Sequence, residues 1–529
     1  MDLKFFNSSI RKLFFLLCVI TTQLSFGQAK TKQPNNNVSI ANLQLPGKTK
    51  PRNIIYILSD DHRYDFMGFT GKVPGLVTPN LDRLAKEGAH FQNAFVTTAL
   101  CSPSRASILT GQYAHTHTVV DNEAPAPASL VYFPQYLQKA GYQTAFFGKW
   151  HMGGDNPDPR PGFNHWESFR GQGVYYNPTL NINGKTVDYK DSTYVTDLLT
   201  EHAITWLKAQ KKDKPFFLYL SHKAVHSEFH PAKRHKGKYK NIQIQYPVSM
   251  FLTANDKSKK YTKGKINTPE SGNYTANMEG IPNWVKAQRY SWHGVDYMYH
   301  GATDFDQFYV DYLETLLSVD ESIGSVLKYL EETGQDKNTL VVYMGDNGFS
   351  FGEHGLIDKR HAYEESMRVP LLAWCPDLIK PATKIPQMAL NVDIAPTFME
   401  LAGLKMPANM QGRSLVPLMK GEKVTDWRDK IFYEYYWEYT FPQTPTIHSI
   451  RTDRYKFIRN QGVWDTNELY DLQKDPYEIN NLIRNNEHQG IAKSLNTQLW
   501  DWLEETNGLQ IPLKRISRPK FDHIHKGTW

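Results

Sequence analysis

Short, almost continuous apolar segments alternate with helical patterns over most of the chain. Residues 53–59, Asn-Ile-Ile-Tyr-Ile-Leu-Ser, have the pattern of a parallel strand buried on both faces. Similar segments occur at 144–147, 216–221, 339–344 and 371–374, and helical patterns occur at 80–87, 134–139, 194–209 and 308–332. Strands that alternate with helices predict an α/β fold, with a large mixed, mostly parallel sheet sandwiched by helices.

The pattern changes near residue 424. Three strand-like segments and a late helix follow, at 431–437, 448–458, 468–476 and 491–503. We therefore predict a main domain over 51–424 and a smaller C-terminal subdomain over 425–529, an antiparallel sheet plus helix. The segment 246–306, rich in Lys, Asn, Tyr and Trp, is predicted to be an insertion in the main domain.

The first 27 residues have the order of a secretory signal peptide. Lys4, Arg11 and Lys12 precede an apolar run at 13–20, and a small residue, Gly27, ends the segment. Residues 28–50 are polar and are predicted to be a flexible leader. The apolar run is too short for a stable membrane anchor, so we expect export to the periplasm, with secretion or a cell-surface location as alternatives.

Composition and charge are those of a globular protein with a mild basic excess. The 529 residues are 40% hydrophobic and 22% charged, with a formal net charge of +7. That charge suits a polyanionic substrate, although a mild excess is more often only a solvated surface. No motif accompanies it that would indicate nucleic-acid binding.

Acidic side chains follow two of the predicted strands. Asp60 and Asp61 come after the strand at 53–59, and Asp346 and Asn347 come after the one at 339–344. Adjacent carboxylates beside buried strands are costly unless a cation offsets them. An Asp-Asp pair alone is usually a turn, but two such sites made of hard oxygen ligands favour Ca²⁺ or Mg²⁺ over Zn²⁺.

A cysteine motif gives the most specific chemical indication. Cys101-Ser-Pro-Ser-Arg105 is followed by Ala-Ser-Ile-Leu-Thr-Gly111. Cys101 could simply be a small buried residue in a turn. The pattern, however, resembles the signature of type I sulfatases of the alkaline phosphatase superfamily. That resemblance implies that a maturation enzyme oxidises Cys101 to formylglycine, whose hydrate attacks sulfur.

Three further motifs match this family in order along the chain. They are Gly148-Lys149-Trp150-His151-Met152-Gly153, Ser221-His222-Lys223-Ala224-Val225-His226, and Gly352-Glu353-His354-Gly355-Leu356-Ile357-Asp358-Lys359. Any one of them could be structural, but their joint occurrence with the cysteine motif makes coincidence very improbable.

The resemblance also implies a role for each matched residue. Asp60, Asp61, Asp346, Asn347 and the modified Cys101 would bind one Ca²⁺, the family's usual metal. Arg105 would hold the hydrate, and Lys149 and Lys359 would neutralise the sulfate. Asp346 would accept the proton of the attacking hydroxyl. His226 would protonate the leaving oxygen, and His151 would take the remaining hydroxyl proton.

Substrate residues are harder to assign. The segment from Tyr113 to Asn122 resembles glucosamine-6-sulfatases and extracellular polysaccharide sulfatases; in it, His115 and His117 could support the site or be structural. His293 and His300 in the insertion, and His448 in the C-terminal region, are predicted to bind the substrate. The aromatic residues of the insertion could stack on sugar rings or only pack on one another.

We therefore expect an exported carbohydrate sulfatase. The main expectation is a sulfated polysaccharide or its oligosaccharides, for example an algal glycan such as ulvan. One alternative is a glucosamine-6-sulfatase-like enzyme acting on glycosaminoglycans. Another is a phosphoesterase or phosphonate hydrolase of the same superfamily, and a third is a protein that binds sulfated glycans without catalysis.

Overall fold

The computed structural model describes residues 51–152, 156–211, 213–250, 279–299, 304–462, 465–510 and 512. The strands are β1 (Asn53–Ser59), β2 (Ala89–Phe95), β3 (Gln143–Gly148), β4 (His165–Ser168), β5 (Thr179–Ile182), β6 (Lys185–Asp188), β7 (Phe216–Ser221), β8 (Thr339–Gly345), β9 (Leu371–Trp374), β10 (Thr383–Leu390), β11 (Lys430–Tyr435), β12 (Thr446–Thr452), β13 (Tyr455–Gln461) and β14 (Glu468–Asp471). The α-helices are α1 (Pro79–Glu87), α2 (Cys101–Thr110), α3 (Ala114–His117), α4 (Phe133–Lys139), α5 (Val195–Lys208), α6 (Asn283–Arg289), α7 (Phe305–Glu332), α8 (Glu364–Met367), α9 (Ile394–Leu401), α10 (Val416–Met419) and α11 (Gln489–Glu505).

A large sheet in the described part of the chain has the strand order β10-β2-β9-β8-β1-β7-β3-β4-β5-β6. Its centre is parallel: β1 pairs with β8 and β7, and β3 pairs with β7 and β4. The carboxyl ends of β8, β1, β7 and β3 therefore meet at one edge. Open α/β sheets place their ligands at such an edge.

The central strands form because their side chains are apolar and buried on both faces. All of β7 and β8 is buried, and so is β1 apart from Asn53. The two hydrophobic clusters on either side of the sheet contain the helices that cover it. The predicted fold class is confirmed.

The orientation of β9 differs from the prediction, which took it to be a strand of the same kind as β1. It runs antiparallel to both β2 and β8. A short apolar strand in the middle of a sheet is buried on both faces in either direction, so its composition does not determine its orientation.

The C-terminal residues form a second sheet, the antiparallel meander β11-β12-β13-β14. Helix α11 contributes Leu495, Leu499 and Trp502 to the same hydrophobic cluster as Ile450 and Phe457 of this sheet. No helix among the described residues is long and apolar enough to span a bilayer. The boundaries at 424 and 50 remain predictions.

Candidate active site

Cys101 is the first residue of α2, rather than part of a turn, and is completely buried. The Nζ of Lys359 lies 3.0 Å from its Sγ, and Oδ1 of Asp60 lies 3.4 Å from it. Burial, together with the charge of Asp60, raises the pKa of the thiol to about 12. An unmodified Cys101 is therefore a protonated thiol at neutral pH, which is a weak nucleophile.

The acids predicted from two strand ends lie together. Asp60, Asp61 and Asp346 each place a carboxylate oxygen within 4.8 Å of the others. The backbone N–H of Asp61 donates to Asp346 Oδ1 (3.0 Å), and Asn347 Nδ2 donates to Asp61 Oδ1 (2.6 Å). Asp61 Oδ2 and Asn347 Oδ1 are buried and accept no hydrogen bond from the described residues.

This arrangement suits a hard divalent cation. Three buried carboxylates converge, the amide of Asn347 contacts one of them, and Asp61 Oδ2 and Asn347 Oδ1 have no hydrogen-bond partner in the described part of the chain. Burial raises the pKa of Asp61 to about 7 and also raises the pKa of Asp346. A bound cation would hold both groups ionised, and oxygen donors of this kind are the ligands of Ca²⁺ and Mg²⁺. A second candidate group joins Asp60 with Cys101 and His226, so the same ion could also contact the nucleophile position.

Arg105 connects helix α2, which begins at Cys101, to three strand ends. It lies four residues after Cys101 on α2. Its Nε lies 2.9 Å from Asp346 Oδ2, and its Nη1 donates to the carbonyl of Lys149 (2.6 Å) and to Ser221 Oγ (2.7 Å). Because it is 1% exposed, this guanidinium fixes the relative positions of the strand ends.

Two lysines complete the positive charge of the site. Lys149 Nζ contacts Asp60 Oδ2 and donates to Gln172 Oε1 (2.6 Å). Lys359 Nζ contacts Asp61 Oδ1 as well as Cys101. Burial opposes the charge of Lys359, but the neighbouring carboxylates, Asp61 above all, keep its pKa well above the usual value. Lys359 is therefore a permanent cation beside Cys101.

The two predicted histidines both lie near the charged groups of the site, Lys149 and Asp60 among them. His226 Nε2 lies 3.9 Å from Asp61 Oδ2, and its Nδ1 lies 2.5 Å from the carbonyl of Ser227. His151 has a left-handed backbone (φ 54°), and its buried Nδ1 has no hydrogen-bond partner among the described residues. Burial and the charge of Lys149 hold the pKa of both imidazoles well below the usual range. Both are neutral before a substrate binds.

A cavity of about 150 Å³ opens above this cluster. Its walls are lined by Asp61, Asn122, Gln172, His226, Trp292, His293, Tyr299, Phe349, Asp358, Lys359, Arg360 and Phe441. Part of the predicted insertion thus lies at the site: the backbone N–H of Ile357 donates to the carbonyl of His293 (2.7 Å), and Gly294 pairs with Leu356. The insertion is held beside the loop that carries Lys359.

The predicted substrate residues are found in different places. His293 lines the cavity, with its Nδ1 3.4 Å from Asp358 Oδ1. His448 is on β12, beside Tyr436 and Gln461, and is not part of the cavity wall. His300 lies outside the described residues. The assignment of these histidines to substrate binding remains a prediction.

His115 and His117 have structural partners away from the cavity. His115 Nδ1 lies 2.8 Å from Glu434 Oε2, and its ring packs edge-on against Trp502. His117 Nε2 lies 3.0 Å from Ser107 Oγ of α2. These contacts join α2 and α3 to the C-terminal sheet, which favours the structural interpretation of both histidines.

Several cavity residues were not predicted from the sequence. Asp358 belongs to the motif that ends at Lys359, and Arg360 follows it, so that motif could have indicated both. Asn122 ends the segment that resembles glucosamine-6-sulfatases. Gln172 and Phe441 lie in loops that carry no motif, and only the fold brings them to the site.

Comparisons with family models and with known proteins all indicate the same family. The family model described as sulfatase matches residues 52–404. A second model, N-sulphoglucosamine sulphohydrolase, C-terminal, matches residues 352–505. The chain is 36% identical over 508 residues to the N-acetylglucosamine-6-O-sulfatase of Bacteroides thetaiotaomicron, covering 89% of each chain. It is 28% identical to the ulvan-active sulfatase of Formosa agariphila, covering 85% of this chain and 80% of the relative.

A solved structure supports the same grouping. BT4656, determined in complex with its substrate D-glucosamine-2-N,6-O-disulfate, matches with a TM-score of 0.74 and 32% sequence identity. The match covers 88% of this chain and 100% of BT4656. The similarity therefore extends over most of the chain.

Proposed function

The chain belongs to the sulfatase family and is a sulfuric ester hydrolase of sulfated glycans, and from that premise we propose that it removes the 6-O-sulfate of glucosamine or N-acetylglucosamine residues. The greater identity to a relative with this activity supports the glucosamine-6-sulfatase alternative over the main expectation of an algal glycan. Ulvan is therefore the less well supported substrate.

One observation carries the proposal at the level of chemistry. Cys101 lies between the Lys359 ammonium and the Asp60 carboxylate, directly beside three converging acids and below an open cavity. A protonated thiol is a weak nucleophile, so an unmodified Cys101 is poorly suited to attack a sulfate ester. A formylglycine there would place its hydrate next to a cation and a metal site, as formylglycine-dependent hydrolysis requires.

When bound, Ca²⁺ would withdraw charge from the sulfate, and the formylglycine hydrate would supply the attacking hydroxyl. Asp60, Asp61, Asp346 and Asn347 are the residues that would hold the ion. Lys149 and Lys359 would neutralise the sulfate oxygens as negative charge develops on the leaving oxygen. Arg105 would keep the strand ends in register during the reaction.

The hydrogen bonds of His226 fit the role of general acid. The Ser227 carbonyl can only accept, so the proton of the neutral ring is on Nδ1 and Nε2 is bare. An anionic sulfate bound nearby would raise the pKa of His226 and favour protonation of Nε2. That proton would then pass to the leaving sugar oxygen.

The proposal includes maturation and export. A formylglycine-generating enzyme would modify Cys101, and removal of residues 1–27 would deliver the protein to the periplasm. The intact Cys-x-Pro-x-Arg motif and the order of charges and apolar residues before Gly27 support these steps.

The test is sulfate release from a matched panel of substrates. N-acetylglucosamine-6-sulfate and glucosamine-2-N,6-O-disulfate should be cleaved, whereas ulvan oligosaccharides and a phosphate monoester should be cleaved poorly. Peptide mass spectrometry of the same preparation should find Cys101 as the aldehyde or its hydrate, in proportion to activity. Faster cleavage of ulvan oligosaccharides, or full activity with wholly unmodified Cys101, would contradict the corresponding part of the proposal.

A further inference from the structure

We propose that Asn122 and Gln172 bind the sulfate group of the substrate, as a pair of neutral hydrogen-bond donors in the cavity wall. Asn122 ends the segment that resembles glucosamine-6-sulfatases, and Gln172 belongs to no motif matched above. Both line the cavity, and both contact a neighbour of the nucleophile. The inference rests on the proposed function, because it assigns a part of the same site.

The orientation of each carboxamide is fixed by its partner. Asn122 Oδ1 accepts from the backbone N–H of Ser102 (3.0 Å), and Gln172 Oε1 accepts from Lys149 Nζ (2.6 Å). A backbone N–H and an ammonium group can only donate, so in both side chains the oxygen must face the partner. The two NH₂ groups therefore point away from these partners, and they have no hydrogen bond to any described residue.

The position of these donors indicates what they bind. Ser102 directly follows Cys101, and Lys149 contacts Asp60 beside it. Asn122 therefore contacts the residue next to Cys101 in sequence, and Gln172 contacts a lysine that is paired with Asp60, the neighbour of Cys101. A sulfate group is rich in acceptors and has no donor, so its oxygens are the natural partners of unused N–H groups at this point.

The cationic side chains of the cavity already have partners within the protein, so other donors can also contact the sulfate. Lys359 already contacts Asp61 and Cys101. Arg360 donates to Asp358 and Glu438, and its guanidinium lies 3.3 Å above the centre of the Phe441 ring. Two neutral amides can hold sulfate oxygens without adding charge that would bind the sulfate product more tightly.

The experiment replaces each NH₂ group by a carboxylate oxygen of almost the same shape. Asn122→Asp and Gln172→Glu keep the oxygen that Ser102 or Lys149 needs, but they lose the donor. Inorganic sulfate is used as a competitive inhibitor, and an aryl sulfate and N-acetylglucosamine-6-sulfate are the substrates. We expect the inhibition constant and both KM values to rise by at least roughly 10- to 100-fold, because each variant loses a hydrogen bond to a charged group and also places a negative charge beside the sulfate.

Asn164→Asp is the matched control. The side-chain oxygen of Asn164 also accepts from a backbone N–H, that of Thr144 (3.0 Å), but Asn164 precedes β4 and does not line the cavity. It should leave sulfate inhibition and turnover unchanged. Formylglycine content and thermal unfolding are measured for every variant, and Gln172→Met, which removes the donor without adding charge, should also weaken sulfate binding.

Three results would overturn the inference. In the first, Asn122→Asp and Gln172→Glu, folded and matured, bind inorganic sulfate as the wild type does. In the second, the loss is confined to N-acetylglucosamine-6-sulfate, which assigns the amides to the sugar. In the third, the wild type itself does not bind sulfate. A wild type that binds sulfate but does not cleave the 6-sulfated sugar contradicts only the proposed function, and inhibition of aryl sulfate cleavage still tests the amides.

Discussion

At the scale of single residues, burial determines which groups can react. It raises the pKa of Cys101 and lowers the pKa of His151 and His226, so that all three are neutral in the free site. The sequence could predict which residues meet, because their motifs are specific. It could not predict these protonation states, which depend on how completely the fold removes each group from water.

Loss of His226 should depend on the leaving group. A sugar alkoxide leaves poorly without a proton, whereas an activated phenolate needs little help. His226→Ala should therefore reduce turnover of a sugar sulfate on the order of 10²-fold more than turnover of an activated aryl sulfate. Steady-state kinetics on both substrates, with His117→Ala as a buried histidine outside the cavity, measures this difference.

Other outcomes would reassign the histidines. Equal losses on both substrates for His226→Ala would make it a positioning residue. A selective loss for His151→Ala instead would exchange the two roles. Lys359→Ala should impair both substrates, since its ammonium contacts Cys101, where the sulfate group common to both substrates would react.

At the scale of elements, the strands with continuous apolar runs were predictable and the others were not. The bounds of β1, β7 and β9 agree with the sequence pattern because these strands are short and apolar. Helix α2 was not predicted, since all ten of its residues are buried, including Ser104, Arg105 and Ser107, and no apolar stripe marks it. Strands β2 and β10 contain polar residues, which interrupt the apolar run by which a buried strand is recognised.

The carboxyl ends of β1 and β8 should bind one divalent ion together. Asp61→Asn and Asp346→Asn should each lower the Ca²⁺ content measured by elemental analysis and lower the thermal stability. Removing a bound ligand from the native state destabilises it by mass action, by roughly 3 to 4 kcal/mol if free Ca²⁺ exceeds its Kd by 100- to 1,000-fold. Chelation of the wild type should have the same effect, and re-addition of Ca²⁺ should reverse it.

Asp320→Asn serves as the control for this prediction. Asp320 is also a buried acid, but it accepts hydrogen bonds from Asn80 and Leu81 and is neither among the converging acids nor in the cavity wall. Whatever the stability of this variant without chelator, chelation should lower it as it does in the wild type. Full activity with no bound metal after exhaustive chelation would refute the metal site.

At the scale of the whole molecule, parts distant in sequence complete the site. The cavity combines residues that follow the central strands with Trp292 of the insertion and Phe441 of the loop between β11 and β12. Sequence patterns predicted the insertion and the C-terminal sheet as elements. They could not place either one over the site, because that placement depends on tertiary contacts such as the pairing of Gly294 with Leu356.

Lys456 joins the C-terminal sheet to the loop that follows Lys359. Its ammonium is completely buried, donates to the carbonyl of Ala362 (2.9 Å), and pairs with Glu364 (2.9 Å) and Glu478 (2.7 Å). Arg451 also pairs with Glu364, whereas Glu478 has no other ion pair among the described residues. Lys456→Met therefore leaves Glu478 as a buried acid without its cation.

We expect Lys456→Met to lower the free energy of unfolding by about 3 to 5 kcal/mol at pH 8, the usual cost of breaking a buried pair. Burial already raises the pKa of Glu478 to about 7, despite Lys456, and loss of the cation must raise it further. A carboxyl whose pKa is higher in the folded than in the unfolded state makes the protein less stable as pH rises. The variant should therefore be less destabilised at pH 5.5, where Glu478 can bind a proton.

Lys430→Met, at a part-exposed lysine of the same sheet, should change stability by no more than about 0.5 kcal/mol at either pH. Denaturant unfolding at both pH values measures the difference, and equal stability of the two variants would show that the buried pair does not hold the sheet to the loop.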